Sequence, residues 1–157
     1  MSELTQGILI GLVPAILVSF FTAWITVKFS MRQFYSQRWW EKKAEAYSRI
    51  IEELSCLQYC LGEWFDSSVE HKKFSDEKKE ELSRGYRKAE EAIRRSVAMG
   101  SYIISESSIK ALENLIRELE TTNNQGDWVG DMDAHFGAVK KCIERIREYA
   151  KKDLGHE

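Results

Sequence analysis

The sequence predicts an all-α protein: one N-terminal transmembrane helix that continues into a cytoplasmic four-helix bundle. Three observations carry this. No charged residue falls between Leu4 and Val27, although charged residues make up 31% of the 157-residue chain. All 23 lysines and arginines, and all but one of the 25 acids, follow Val27. Beyond that point apolar residues recur every three or four positions, and no period-2 segment of useful length interrupts them.

The membrane element comes first. Gly7 to Val27 reads GILIGLVPAILVSFFTAWITV, and these 21 residues, at about 1.5 Å rise each, span the ~30 Å hydrocarbon layer. A secretory signal peptide would carry a basic n-region, a shorter apolar stretch and a small-residue cleavage site. Here only Glu3 precedes the run and no such site follows. The transmembrane segment is therefore set at residues 4–29 and the cytoplasmic bundle at 30–157. Lys28, Arg32, Arg38, Lys42 and Lys43 follow the span closely, so the positive-inside rule places the C-terminal domain in the cytoplasm. Cys56, Cys60 and Cys142 are then free thiols. Trp24, Phe29, Phe34, Tyr35, Trp39 and Trp40 suit an interfacial belt.

Within the span, Gly7, Gly11, Ala15, Ser19 and Ala23 recur every four residues. Such a smooth stripe lets helix backbones approach closely in lipid and points to self-association. Ser19, Thr22 and Thr26 supply hydroxyls that either bond back to their own helix or line a narrow pore in an oligomer. Pro14 removes one backbone hydrogen bond and predicts a kink.

Four helices follow, at approximately 31–65, 76–98, 106–120 and 131–152. The first carries the seam Trp40, Tyr47, Ile50, Leu54, Leu57, Leu61, Trp64. The second starts at an N-cap, Ser75, ahead of Asp76 and Glu77, has the seam Leu82, Tyr86, Ala89, Ile93, Val97, and stops at Gly100. The third begins near Ser105, with seam Ile109, Leu112, Ile116 and Leu119, and ends in the run TTNNQG. The fourth carries Met132, Phe136, Val139, Ile143, Ile146 and Ala150, with Lys151 and Lys152 suited to its C-terminal dipole. Four amphipathic helices with short connections read as a bundle.

The sequence holds no P-loop, dinucleotide fingerprint, nucleophile elbow or zincin motif. Its three histidines, His71, His135 and His156, are scattered, and His135 beside Phe136 reads as a packing residue. No enzymatic activity, metal or cofactor is expected. Cys56 and Cys60 at i, i+4, with Cys142 and His135, were the one combination that could make a tetrahedral zinc site, but core packing explains them better. Asp127, Asp131 and Asp133 lack calcium-loop spacing.

Two charged patterns remain. Glu41, Glu45, Glu52 and Glu63 fall within about 40° on one side of the first helix, opposite its seam. This is a solvated face in a monomer and a cation-favouring vestibule in an oligomer, so Ser19, Thr22, Thr26, Glu41, Glu45 and Glu52 are the candidate pore-lining residues. Arg84, Arg87 and Lys88 on the second helix, and Lys140, Lys141 and Arg145 on the fourth, are candidates for a phosphate-bearing ligand. They are interleaved with glutamates that suit i, i+4 pairing.

The juxtamembrane run FYSQRWWEKKAEAYSRIIEEL and the later GSYIISESSIKALENLIRELE, behind a single span, resemble small bacterial membrane proteins that act as effectors of anti-phage systems, the membrane effectors of the Hailong system above all. The resemblance covers most of the chain and implies a homo-oligomeric, tetrameric channel. A DNA-oligomer ligand, made by a nucleotidyltransferase-like partner, would hold it shut, and release would depolarise the infected cell. No site residue carries over from the resemblance. A single span per chain requires oligomerisation for any pore, and a membrane-tethered scaffold that docks a cytoplasmic partner is the alternative expectation.

Overall fold

The structure, a computed structural model, describes residues 2–70, 73–100, 102–121 and 128–155, with side chains from Val18 onward. Among these residues there are four α-helices and no strand: α1 (Ser2–Val69), α2 (Asp76–Gly100), α3 (Glu106–Glu120) and α4 (Trp128–Asp153). Contacts divide the chain into two compact units, Met1–Glu41 and Lys42–Glu157. Among the described residues no helix is long and apolar enough to cross a membrane. The apolar run 7–27 lies partly outside them, because only from Val18 are its side chains described. Residues 18–27 alone would reach about 15 Å, half the hydrocarbon layer.

In the unit Lys42–Glu157 the bundle is built on the α1 seam. Tyr47, Ile50, Leu54, Leu57 and Leu61 are all buried, at the 3–4 alternation that keeps one stripe facing inward. Trp64 is half-buried against Tyr86 of α2, with ring centroids 5.4 Å apart. Trp40, expected at the head of this seam, is 44% exposed and belongs to the other unit. The seam starts at Tyr47 because only from there do α2, α3 and α4 supply partners.

The helices alternate in direction. Along α1 the contacts of α2 run backwards: Ala46 and Ile50 share a groove with Ser96 and Met99, while Lys78 reaches Tyr59. The contacts of α4 also run backwards, Tyr47 meeting Asp153 and Gly62 approaching Phe136. Tyr47 meets Ser105 and Ser108 at the start of α3, so that helix runs parallel to α1. α3 packs in turn against α2 and α4. The result is an up-down-up-down bundle, the arrangement that short connections favour.

Local chemistry sets the helix ends. The Ser75 hydroxyl accepts from the Lys78 amide at 3.3 Å, and the Ser105 hydroxyl accepts from the Ser108 amide at 3.4 Å. Each is an N-cap bond that satisfies one of the free first-turn donors. α2 includes Gly100, whose carbonyl accepts from Ile103 at 2.9 Å and from Ile104 at 3.0 Å. A Cβ at Gly100 would stand 3.1 Å from the Ile104 side chain, which would have to shift by a few tenths of an ångström to admit it. The run 122–127, with TTNNQG beyond Thr121 and Asp127 after it, and His71 lie outside the described residues.

α3 faces the core differently from expectation. Leu112 is buried as read, but Ile109, Ile116 and Leu119 are only partly buried, while Ser108, Ala111 and Leu115 are buried. Small residues decide this. Ala111 lets α4 come close enough for the Cys142 thiol to reach its carbonyl at 3.8 Å, and Ser108 anchors the helix to α1.

That anchor is a polar cluster in an apolar bundle. The Tyr47 phenol donates to the Asp153 carboxylate. It stands 3.0 Å from the Ser108 hydroxyl and 3.3 Å from that of Ser105. The Ser105 amide donates to Asp153 at 3.1 Å. No buried side-chain polar atom among the described residues lacks a partner. Burial first, and the bond to Asp153 second, raises the Tyr47 pKa above its ordinary 10.0.

Two measurements test the cluster in full-length protein in mild detergent. Tyr47→Phe removes one donor from a half-buried carboxylate and should lower the unfolding free energy by about 1–2 kcal/mol. A loss within error would mean that the phenol is not holding Asp153. The acids whose pKa values are raised by folding, Tyr47, Tyr86 and the buried thiols Cys60 and Cys142, bind protons more tightly folded than unfolded. Their stabilisation is therefore complete below their unfolded pKa values and is lost as pH rises through the folded ones. Unfolding free energy should fall from about pH 9 upward, and the Tyr47→Phe protein should show a shallower fall.

Candidate membrane-assembly site

Between Val18 and Trp40, α1 carries large apolar side chains around most of its circumference and hides none of them. Phe20 is 75% exposed, Phe29 68% and Trp24 54%, and Phe21, Phe34, Tyr35 and Trp39 stand equally open. Soluble monomers rarely present an apolar surface of this extent, which makes this segment the candidate interaction surface. The sequence makes it helical because no proline or glycine follows Gly11 and Pro14 until Gly62. It makes it uncovered because the apolar residues do not resolve into a single stripe.

Cations are threaded through this surface at helical spacing. Lys28 Nζ sits 5.0 Å from the Trp24 ring centroid, and the Arg38 guanidinium 5.2 Å from that of Phe34. Both pairs are i, i+4, the spacing that stacks one side chain over the next. The sequence reading had named these residues as flanking charges and interfacial aromatics without pairing them. The spacing was the signal that could have paired them.

Of the self-association stripe, Gly7, Gly11 and Ala15 lie outside the residues whose side chains are described, as does Pro14, while Ser19 and Ala23 are exposed. The Thr22 hydroxyl donates to the Val18 carbonyl and the Thr26 hydroxyl to the Thr22 carbonyl, each at 2.8 Å. This is back-bonding within the helix, which satisfies both hydroxyl protons.

The carboxylate stripe is less bare than its spacing suggests. Gln37 Nε2 donates to Glu41 at 3.2 Å, and Arg49 pairs with Glu45 at 2.6 Å. Glu52 is exposed and Glu63 half-buried. Both partners of the Arg49–Glu45 pair are well exposed, so it contributes little stability, but it offsets the field of one carboxylate.

The two basic clusters remain on separate helices, with α3 packed against both α2 and α4. On α2, Arg84 pairs with Glu80 at 2.8 Å and Arg87 donates to the Ser83 carbonyl at 3.2 Å, while Lys88 is exposed. On α4, Lys140 is exposed, and Lys141 and Arg145 line a cleft of about 170 Å³ with Asn114 and Glu118 of α3. Glu118 sets an acid beside those two cations, which weakens the cleft as an anion site.

The three thiols lie between helices. Gly85 of α2 lies against Cys60 and Cys56, where a Cβ would meet the two sulfurs at 3.4 and 3.9 Å. Among the described residues no three His, Cys, Asp or Glu side chains come together as a metal site. Burial pushes the Cys142 thiol up to about 12. Burial, with the neighbouring Cys56 second, takes Cys60 to about 11.

Compared with known proteins, the chain matches no family model, no curated protein and no solved structure.

Because the thiolate is the reactive form, Cys60 and Cys142 should resist iodoacetamide at pH 7.5 in the folded protein. Labelling read by peptide mass spectrometry should be slower by at least about tenfold than in the urea-unfolded chain. Equal rates would mean that the α1–α2 and α3–α4 contacts around them are open in solution.

Proposed function

We propose that the chain is a non-enzymatic, membrane-anchored effector that assembles as a homo-oligomer and conducts ions across a bacterial inner membrane. Its N-terminus lies outside and its helical domain in the cytoplasm. The observation that carries the reading is the broad exposed apolar surface of α1 from Val18 to Trp40, continuous in sequence with the uncharged run that begins at Leu4. Lipid is the solvent that accepts such a helix. The basic residues that follow the run support the orientation.

Assembly follows from the single span, because one helix cannot enclose a path for ions. The stripe Gly7, Gly11, Ala15, Ser19 and Ala23 is its proposed interface. Ser19, Thr22, Thr26, Glu41, Glu45 and Glu52 are the proposed lining. The likeness to the Hailong membrane effectors supports a tetramer in anti-phage defence that arrests or kills the infected cell, with a nucleotide or DNA oligomer as the closing ligand. Arg84, Arg87, Lys88, Lys140, Lys141 and Arg145 would contact that ligand only if assembly gathers cations from neighbouring copies, since α2 and α4 hold their clusters apart in one chain.

One observation favours a second reading, a non-conducting scaffold that docks a cytoplasmic partner. The Thr22 and Thr26 protons are spent on their own helix, so these hydroxyls present only acceptor lone pairs to a pore or to lipid.

Cation flux from liposomes holding the purified full-length protein decides between them. Flux that disappears in the Gly11→Leu protein supports the channel, because leucine there blocks close backbone approach. Absent flux from an oligomer extracted free of bound nucleic acid supports the scaffold. If the protein conducts, Glu52→Gln should lower cation flux several-fold and Glu45→Gln less, because Arg49 already offsets Glu45. Unchanged flux in both would remove the stripe from the conduction path.

A further inference from the structure

Gly85 sits well inside the 25-residue helix α2, where glycine is a poorer choice than alanine because it loses more backbone freedom on folding. Nothing in the backbone requires it: among the described residues the glycine with positive φ is Gly155. Packing does not require it either. A Cβ at Gly85 would stand 3.4 Å from the Cys60 sulfur and 3.9 Å from that of Cys56, both ordinary contact distances. Gly62 admits a Cβ in the same way but faces the Phe136 ring, and Gly137 faces open space. At Gly85 alone among these, the space left free borders two ligating atoms.

Those two atoms are spaced for a bridge. Cys56 and Cys60 stand one turn apart on α1, a spacing that separates Cβ atoms by about 5–6 Å. A disulfide draws its Cβ atoms to about 3.5–4.5 Å, so the pair cannot join directly while α1 stays helical. One atom between the sulfurs spans the difference. Cys60 is buried and Cys56 half-buried, which gives the pair one dry end and one end open to entry. The Gly85 carbonyl lies 3.9 Å from the Cys56 sulfur. Cys142 is engaged elsewhere, at the Ala111 carbonyl, and among the described residues no third His, Cys, Asp or Glu joins the two thiols.

We propose that Cys56 and Cys60 bind one copper(I) ion as a two-coordinate dithiolate, beside the space that Gly85 leaves in α2. The donor set selects the ion. Thiolate is a soft ligand that favours copper(I), zinc and iron–sulfur clusters, and zinc sites call for four ligands. Two sulfurs without a third donor satisfy a closed-shell monocation that accepts two ligands. On binding, both S–H bonds break, two S–Cu bonds form and both protons pass to solvent; no electron is transferred. Metal ligation deprotonates a thiol outright, so the buried thiols need not ionise beforehand. The bound unit carries one negative charge. The Lys78 ammonium and the Glu63 carboxylate both act on Cys60, and Lys78 supplies the compensating charge from its place over the Tyr59 ring, 5.7 Å from the centroid. This site does not depend on the membrane reading, because every residue of it lies in the unit Lys42–Glu157.

Copper(I) competition in the full-length protein, held reduced and oxygen-free in mild detergent, tests the site. Titrated against the coloured copper(I) complex of bathocuproine disulfonate, the natural chain should withdraw one copper per chain, and Cys142→Ser should withdraw as much. Cys56→Ala and Cys60→Ala should each bind at least tenfold more weakly. X-ray absorption should count two sulfur neighbours per copper. Gly85→Ala separates a built site from thiols that merely pack: it should raise the thermal midpoint of the copper-free protein by a few degrees, yet weaken copper binding at least tenfold. Should Cys60→Ala fail to fold, Cys56→Ala and Gly85→Ala carry the decision. Three or more sulfur neighbours, an equal loss in Cys142→Ser, or full binding in Cys56→Ala overturns the assignment. So does a natural chain that takes no copper from the chelator, or a Gly85→Ala protein that binds as the natural chain does.

Discussion

Three chain segments meet at one phenol. Tyr47 comes from α1, Ser105 and Ser108 from the start of α3, and Asp153 from the last turn of α4; the Ser105 amide belongs to the turn that leaves α2. Apolar seams alone would let these helices slide or rotate against one another at small cost, since dispersion is non-directional. A carboxylate, a phenol and two hydroxyls bonded to one another, with Tyr47 and Ser108 buried, resist sliding. Each donor lost leaves an acceptor with its desolvation uncompensated. The cluster therefore fixes the height of α3 and α4 against α1 at one end of the bundle. It also explains why α3 turns Ser108 and Ala111 inward and leaves Ile109 and Ile116 partly outside.

Those residues also mark how far sequence reasoning reached. The α1 and α4 cores were legible because their apolar residues are large and strictly spaced, as at Leu54, Leu57 and Leu61 or Val139, Ile143 and Ile146. The start of α3 was legible in Ser105, since a serine ahead of a first-turn acid is a local signal. The rotation of α3 was not, because it depends on a serine and an alanine whose value lies in what they allow a neighbour to do. Asp153 looked like one more acid in a polar tail. Its partner stands more than a hundred residues earlier, and no local pattern announces such a pair. In the assembly site the apolar run and its flanking cations were plain from composition, and the Lys28–Trp24 and Arg38–Phe34 stacks were implicit in their spacing.

The helix segment 18–41 and the bundle show two ways of managing apolar surface. In the bundle, hydrophobic residues at 3–4 spacing form one stripe, and charged residues on the other face pair along their own helices: Arg84 with Glu80, Arg94 with Glu90, Lys110 with Glu106. A chain that folds alone can use that arrangement. In 18–41 the apolar residues cover most of the circumference, acids are almost absent, and cations stack on rings instead of pairing with carboxylates. Such a segment gains little from its own chain and much from lipid or from copies of itself.

The distribution of polar groups around that segment constrains which surroundings go where. Amides, small hydroxyls and the single carboxylate Glu41 share one side, while Lys28 and Arg32 share the opposite one with Tyr35 and Trp39. A helix immersed in lipid on all sides would gain nothing from this division. A helix in a ring has one side toward headgroups and one toward an aqueous axis. Cations outside and a carboxylate inside then act in the same direction: the outer charges bind lipid phosphates, and the inner one favours cations along the axis. Anions would meet Glu41 with no opposing lysine or arginine on that side of 18–41. In the proposed channel, this division of polar groups around the helix would favour cations over anions along the axis.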